Sequence, residues 1–161
     1  CIRDSPYIMG VFCSKCNDHS QQLSNSTKEN TSFLSFNGET HDAKIVYIYD
    51  GDTIHIVFKY MNHLYRWNCR INGVDTPELR TKNKKEKQKG YEVRDIVSTY
   101  FQDKIVRVKC FDFDKYGRLL IDIYMPKDVP NKTNCEMFSQ WLIDNGHAYA
   151  YNGGTKHAWD L

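Results

Sequence analysis

The chain has 161 residues, 40% of them hydrophobic, 14% aromatic and 26% charged, with a net charge of +2 and an isoelectric point near 8.2. That length gives one domain with some chain to spare, the charge is too mild to announce a polyanionic partner, and no apolar run approaches the length of a membrane span. The cysteines at 1, 13, 16, 69, 110 and 135 lack the dense, regular spacing of a disulfide scaffold, so a reducing, intracellular compartment is expected.

A start at Cys1 instead of Met suits a processed form or a fragment. Met9-Gly10-Val11-Phe12-Cys13-Ser14 matches the N-myristoylation pattern if translation begins at Met9. Cys13 and Cys16 are then candidates for palmitoylation, the second lipid that stable anchoring needs, which would hold the protein at the cytosolic face of a membrane. Other readings stay open. Cys13, Cys16 and His19 have part of a zinc spacing without a clear fourth ligand, Cys1 suits the lipidated start of a mature bacterial lipoprotein, and a plain tail with stray cysteines explains the same residues. Residues 17–32, NDHSQQLSNSTKENTS, have almost nothing to bury and read as a disordered linker. The division expected is a tail over 1–42 and a folded domain over 43–161.

From Ala43 the apolar rhythm has period two. Strands are predicted over 44–49 and 53–60, with a turn at Asn62-His63 leading to a third over 64–72. Cys69 sits in the third strand as a small buried hydrophobe, and Cys110 does the same further on. A lysine-rich loop follows, with Lys82, Lys84, Lys85, Lys87 and Lys89, and then apolar residues at helical spacing over 91–101. Strands over 105–111 and 119–125 flank an Asp-Lys-Tyr-Gly turn. Thr133-Asn-Cys-Glu136 fits a capping box for a last helix carrying Met137, Phe138, Trp141 and Leu142, which Gly146 ends. Three strands, a helix, two strands and a helix predict a mainly β, α+β fold: a five-stranded OB-fold barrel with two packed helices.

Three acidic stretches stand out: Asp50-Gly-Asp52-Thr53, Arg70-Ile-Asn-Gly-Val-Asp75-Thr76-Pro77-Glu78, and Asp114-Lys115-Tyr116-Gly117-Arg118. Each alone reads as a turn or strand exit. Together they differ, because carboxylates that converge at a barrel rim repel one another and call for a cation. A hard divalent ion with oxygen ligands answers that need, and arginines beside it suit an anionic phosphate held in a bidentate grip.

In this order and with a helix between the second and third, these stretches resemble the staphylococcal nuclease family over residues 43–151. The resemblance implies Ca²⁺ held by Asp52, Asp75 and the main-chain carbonyl of Thr76, with Asp50 standing behind the ion. It implies Glu78 as the general base for the attacking water, and Arg70 and Arg118 as the pair gripping the phosphate. Lys115 and Tyr116 match contacts to a nucleotide's terminal phosphate, and Tyr149 and Tyr151 match a tyrosine pair that stacks on a base, though with compressed spacing after Gly146. The implied activity is a monomeric endonuclease cleaving DNA and RNA at the 5′-O–P bond to leave 3′-phosphates. The alternative is an OB module that binds nucleic acid without cleaving it. Two departures are a shorter approach to the DKYGR turn and a sequence ending at Leu161, short of the family's long C-terminal helix, which bears on stability. Lysines 82–89 would steer the polyanion. Histidines 41, 55, 63, 147 and 157 show no ligand spacing and read as surface or packing residues.

Overall fold

A computed structural model describes residues 14–127, 129, 136–154 and 159. The chain forms two compact units, Cys1–Leu34 and Ser35–Leu161. In the first, helix α1 spans Ser14–Ser24, where a disordered linker was expected. Its Lys, Gln and Leu residues are competent helix formers uninterrupted by Gly or Pro, a local signal that composition alone hides. Met9, Gly10, Cys13 and Cys1 lie outside the described residues.

In the second unit the strands are β1 (Thr40–Ile48), β2 (Thr53–Tyr60), β3 (His63–Ile71), β4 (Val74–Asp75), β5 (Ile105–Phe113), β6 (Leu119–Ile123) and β7 (Tyr149–Ala150). Five of them close a barrel in the order β1-β2-β3-β6-β5, with β5 returning to β1. Neighbours are antiparallel except β3 and β6. That parallel pair needs a crossover, which contains helix α2 (Lys84–Phe101). The period-two pattern does what it predicts: Ile54, Ile56 and Phe58 of β2 and Leu119, Ile121 and Ile123 of β6 are all buried. Cys69 and Cys110 are buried free thiols among them, and burial pushes both above the usual thiol range.

Order begins before the expected Ala43. Phe36 is fully buried and meets Phe58, Tyr60, Trp67 and Phe113 edge-on at centroid distances of 5.0–5.9 Å. It plugs the end of the barrel that the β2–β3 hairpin closes. That hairpin turns on Met61 and Asn62, both at positive φ, with Tyr60 paired to His63, one residue earlier than the expected Asn62-His63.

The helices bring two further corrections. Lysines 84–89 are not a loop but the opening turns of α2, because the Asn83 side chain accepts hydrogen bonds from the N–H groups of Lys85 and Glu86 and starts the helix there. Helix α3 (Phe138–Asp144) starts later than expected, with Met137 at its N-cap and no side-chain bond from that residue; Thr133, on which the expected capping box falls, lies outside the described residues. Asp122 of β6 caps the first turn, accepting from the Ser139 N–H at 3.0 Å and from the Ser139 hydroxyl. Beyond the helix Gly146 takes φ +69° as predicted. The short β4–β7 pair, which sequence rhythm is too brief to show, ties the C-terminal segment to the exit of β3.

Candidate active site

The turn between β1 and β2 is built by its own acids. Asp50 Oδ1 accepts from the N–H groups of Asp52 at 3.1 Å and Thr53 at 2.7 Å, which folds the four residues tightly and aims Asp52 inward. Thr53 Oγ1 then donates to Asp52 Oδ1 at 2.9 Å. Gly51 is required by contact: a Cβ there would stand 2.7 Å from Val93 Cγ1 of α2 and 2.8 Å from Thr76 Cγ2.

Arg70, near the end of β3, joins this turn to the next acidic stretch. Its Nη2 lies 2.9 Å from Asp52 Oδ2, donates to Asp75 Oδ1 at 3.0 Å, and donates to the Val74 carbonyl at 3.0 Å. Asp50, Asp52, Asp75 and Thr76 are all buried. One guanidinium therefore faces three buried carboxylates. Burial and then the Asp50 charge push Asp52 up to about 7, against the pull of Arg70. Burial likewise raises Asp50 despite the two N–H bonds it accepts.

This excess of negative charge is unfavourable without a cation. The donors are carboxylate oxygens, with the Thr76 main chain beside them, and such a set fits a hard divalent ion. Among the described residues no three His, Cys, Asp or Glu side chains form a metal-holding group.

Downstream of Asp75, Glu78 is held by α2. Glu86 accepts from the Glu78 N–H at 3.2 Å and from the Thr81 hydroxyl at 2.8 Å. Gly90 lets the helix approach, since a Cβ there would meet the Pro77 carbonyl oxygen at 2.8 Å. Opposite, the DKYGR turn is closed by Asp114, whose Oδ1 accepts from the N–H groups of Tyr116 and Arg118 and whose Oδ2 accepts from Arg118 Nε at 2.7 Å. Gly117 takes φ +77°. Burial alone would raise Asp114, but the Arg118 and Tyr116 bonds outweigh it and hold the carboxyl below the usual range.

Between the two walls lies a cleft of about 780 Å³ lined by Arg70, Glu78, Lys115, Tyr116, Arg118 and Tyr151, with Asp114 at its edge. Arg118 stands over the Tyr116 ring and Arg70 over the Tyr151 ring, at 5.6 and 5.7 Å. Thus the structure brings together all but one of the predicted side chains that would face substrate. The exception is Tyr149, which does not line the cleft: its backbone pairs with Asp75 and its ring packs 4.2 Å from Trp159. Sequence reading missed three contributors. Asp114 was legible as the acid four residues before Arg118. Glu86 and Gly90 were hidden because their partners are fixed only by the packing of α2.

The profile of the family described as staphylococcal nuclease homologue matches residues 68–159. A thermonuclease of Staphylococcus hyicus is 32% identical, covering 71% of this chain and 62% of its own length. An uncharacterized endonuclease of Escherichia coli O157:H7 is 27% identical over 67% of this chain and 60% of its own, and an uncharacterized protein of Methanocaldococcus jannaschii is 29% identical over 91% and 79%. The chain thus spans about three fifths of the two nucleases. A closed mixed barrel, acids converging on Arg70, an arginine-bearing turn across the cleft, and a matched profile over more than half the chain lead to one conclusion: this chain belongs to the staphylococcal nuclease homologue family.

Proposed function

We propose that the protein is a Ca²⁺-dependent endonuclease that hydrolyses phosphodiester bonds of DNA and RNA, breaking the 5′-O–P bond to leave a 3′-phosphate and a 5′-hydroxyl. The observation that carries this reading is the cleft itself, where Arg70, Arg118 and Glu78 line one space and Arg70 also pairs with the buried Asp52 and Asp75. Asp52, Asp75 and the Thr76 carbonyl would hold the ion, which when bound would mask phosphate charge and polarise the ester.

The chain's own residues account for the rest. Arg70 and Arg118 present planar, permanently charged donors to the phosphate oxygens, on which negative charge grows as attack proceeds. Glu78 accepts the proton of the attacking water while the new P–O bond forms and the P–O5′ bond breaks. The leaving oxygen takes its proton from solvent. Lys115 and Tyr116, on the exposed rim, are placed for a neighbouring phosphate.

A plasmid-nicking assay tests the reading. Cleavage is expected with Ca²⁺ and not with chelator, and Glu78→Gln lowers the rate on the order of 10²–10⁴-fold while folding normally. Nicking that is indifferent to both changes would overturn the assignment.

A further inference from the structure

β3 delivers Arg70 to the cleft, and alternation along the strand sends Asn68 and Arg66 to the same outer face while Cys69 and Ile71 point inward. The β2–β3 ladder sets Thr53 opposite Arg70, His55 opposite Asn68, Val57 opposite Arg66 and Lys59 opposite Leu64. One strand further, β1 skips Val46, and this bulge places Tyr47 across from His55 with ring centroids 5.1 Å apart. Tyr47 is 49% exposed. Burial and the Arg66 charge hold His55 below the usual imidazole range, so it offers a neutral ring at pH 7.

The outward residues of β2 and β3 thus include Lys59, Arg66 and Arg70 and not one carboxylate. α2 packs on β1 and α3 on β6. The DGDT turn and the DKYGR turn are the connections β1–β2 and β5–β6, and OB barrels take oligonucleotides across the face of their second and third strands and these same two loops. Arg70 belongs both to this strand and to the lining of the cleft.

We propose that the outer face of β1–β3 is a track for single-stranded polynucleotide, with Arg66 and Lys59 meeting backbone phosphates and the Tyr47–His55 pair stacking a base beyond the bond held at Arg70. This rests on the phosphodiesterase reading of the cleft. Arg66 and Arg70 stand four residues apart on one face of β3, about 13 Å along the strand, with Asn68 between them and Lys59 beyond Arg66 on the neighbouring strand, a spacing that suits alternate phosphates of an extended single strand. Exposed rings need an unpaired base, because a duplex hides its base faces.

The experiment compares wild type with Tyr47→Ala/Arg66→Ala on a dinucleotide and on a single strand of about 12 nucleotides, within the range one OB fold covers. Anisotropy of the labelled strand on the Glu78→Gln background runs alongside. The wild type is expected to prefer the longer strand, and the double variant to lose about tenfold or more of that preference with a far smaller loss on the dinucleotide. Its log–log salt slope for strand binding should fall by about 0.7 for the phosphate contact removed. A wild type without length preference, an equal loss on both substrates, or equal competition by duplex would overturn the track while leaving the cleft's chemistry intact. If neither substrate is cleaved, the cleft reading fails alone. Strand binding then decides the track: sensitivity to the double variant sustains it and insensitivity overturns it. Matching thermal midpoints establish that the surface variant is folded.

Discussion

Arg118 can serve a phosphate only if its long side chain is already aimed, and Asp114 does the aiming. The Asp114 carboxylate spends one oxygen on two N–H groups of its own turn and the other on Arg118 Nε, leaving the terminal guanidinium nitrogens to the cleft. Both side chains are largely buried, at 14% and 20% exposure, so the bond is shielded from competing water. Asp114→Ala should lower kcat about tenfold or more, in line with roughly 1.5–3 kcal/mol for a charge-assisted bond, and change KM less. Asp114→Asn, which keeps an acceptor for the turn, should recover part of the loss. Steady-state kinetics on one oligonucleotide checks both, and an Ala variant with wild-type kcat would remove Asp114 from the mechanism. The carboxyl is held below 3.8, so its contribution to stability is complete above that pH and is lost as pH falls through the lower folded value. The contact is therefore intact at neutral pH.

Helix α2 is the plate against which both acidic segments are pressed, Gly51 meeting Val93 and Gly90 meeting the Pro77 carbonyl. Gly90→Ala sets two effects against each other: helix propensity gains about 1 kcal/mol, and a methyl is forced to 2.8 Å from a backbone oxygen that is not free to rotate away. Overpacking of this kind costs about 1–3 kcal/mol, so steric strain wins, the protein loses stability, and kcat drops as Glu78 is displaced. Urea unfolding together with kinetics checks it, and a variant more stable and fully active would refute the close fit. Helix α3 supplies a pH test. Burial raises Asp122 above 3.8 in spite of its bonds to Ser139 and Ile123. Folding therefore favours its protonated form, and the contribution of this group to stability falls as pH rises from 3.8 through the folded value. Asp122→Asn should abolish that slope, so unfolding free energies of wild type minus variant decline across this window and are level outside it. These elements also mark what could be read in advance. Barrel strands with period-two burial, the DGDT and DKYGR turns, and the Gly146 stop were legible because adjacent residues specify them. The start of α2 among lysines, the cap of α3 by a distant aspartate, Phe36 as a plug, and the clamp of Gly90 on Pro77 were not, since each depends on a partner from another element.

At the scale of the whole molecule a net charge of +2 conceals a strong asymmetry. Lys84, Lys85 and Lys87 occupy the first turn of α2 with Glu86 as its one acid, at the helix end whose dipole is already positive. Cations there cost typically 0.3–1 kcal/mol each, so the arrangement works against stability. A polyanionic substrate explains why such a cluster would persist: the helix N-terminus and the lysines add to one positive field that raises the encounter rate with nucleic acid. Replacing all three by Gln should move two readouts in opposite directions. The midpoint of thermal unfolding should rise, because the repulsion with the dipole is gone. At low ionic strength kcat/KM for a long substrate should fall, and its dependence on salt should flatten, with wild type and variant converging as screening shortens the field to a few ångströms near 1 M. Calorimetry and a salt series on the same preparations measure both, and a triple variant that is neither more stable nor slower at low salt would show that these lysines are merely solvated. If stability rises while the low-salt rate falls, the basic turn is a functional feature kept at the expense of the fold.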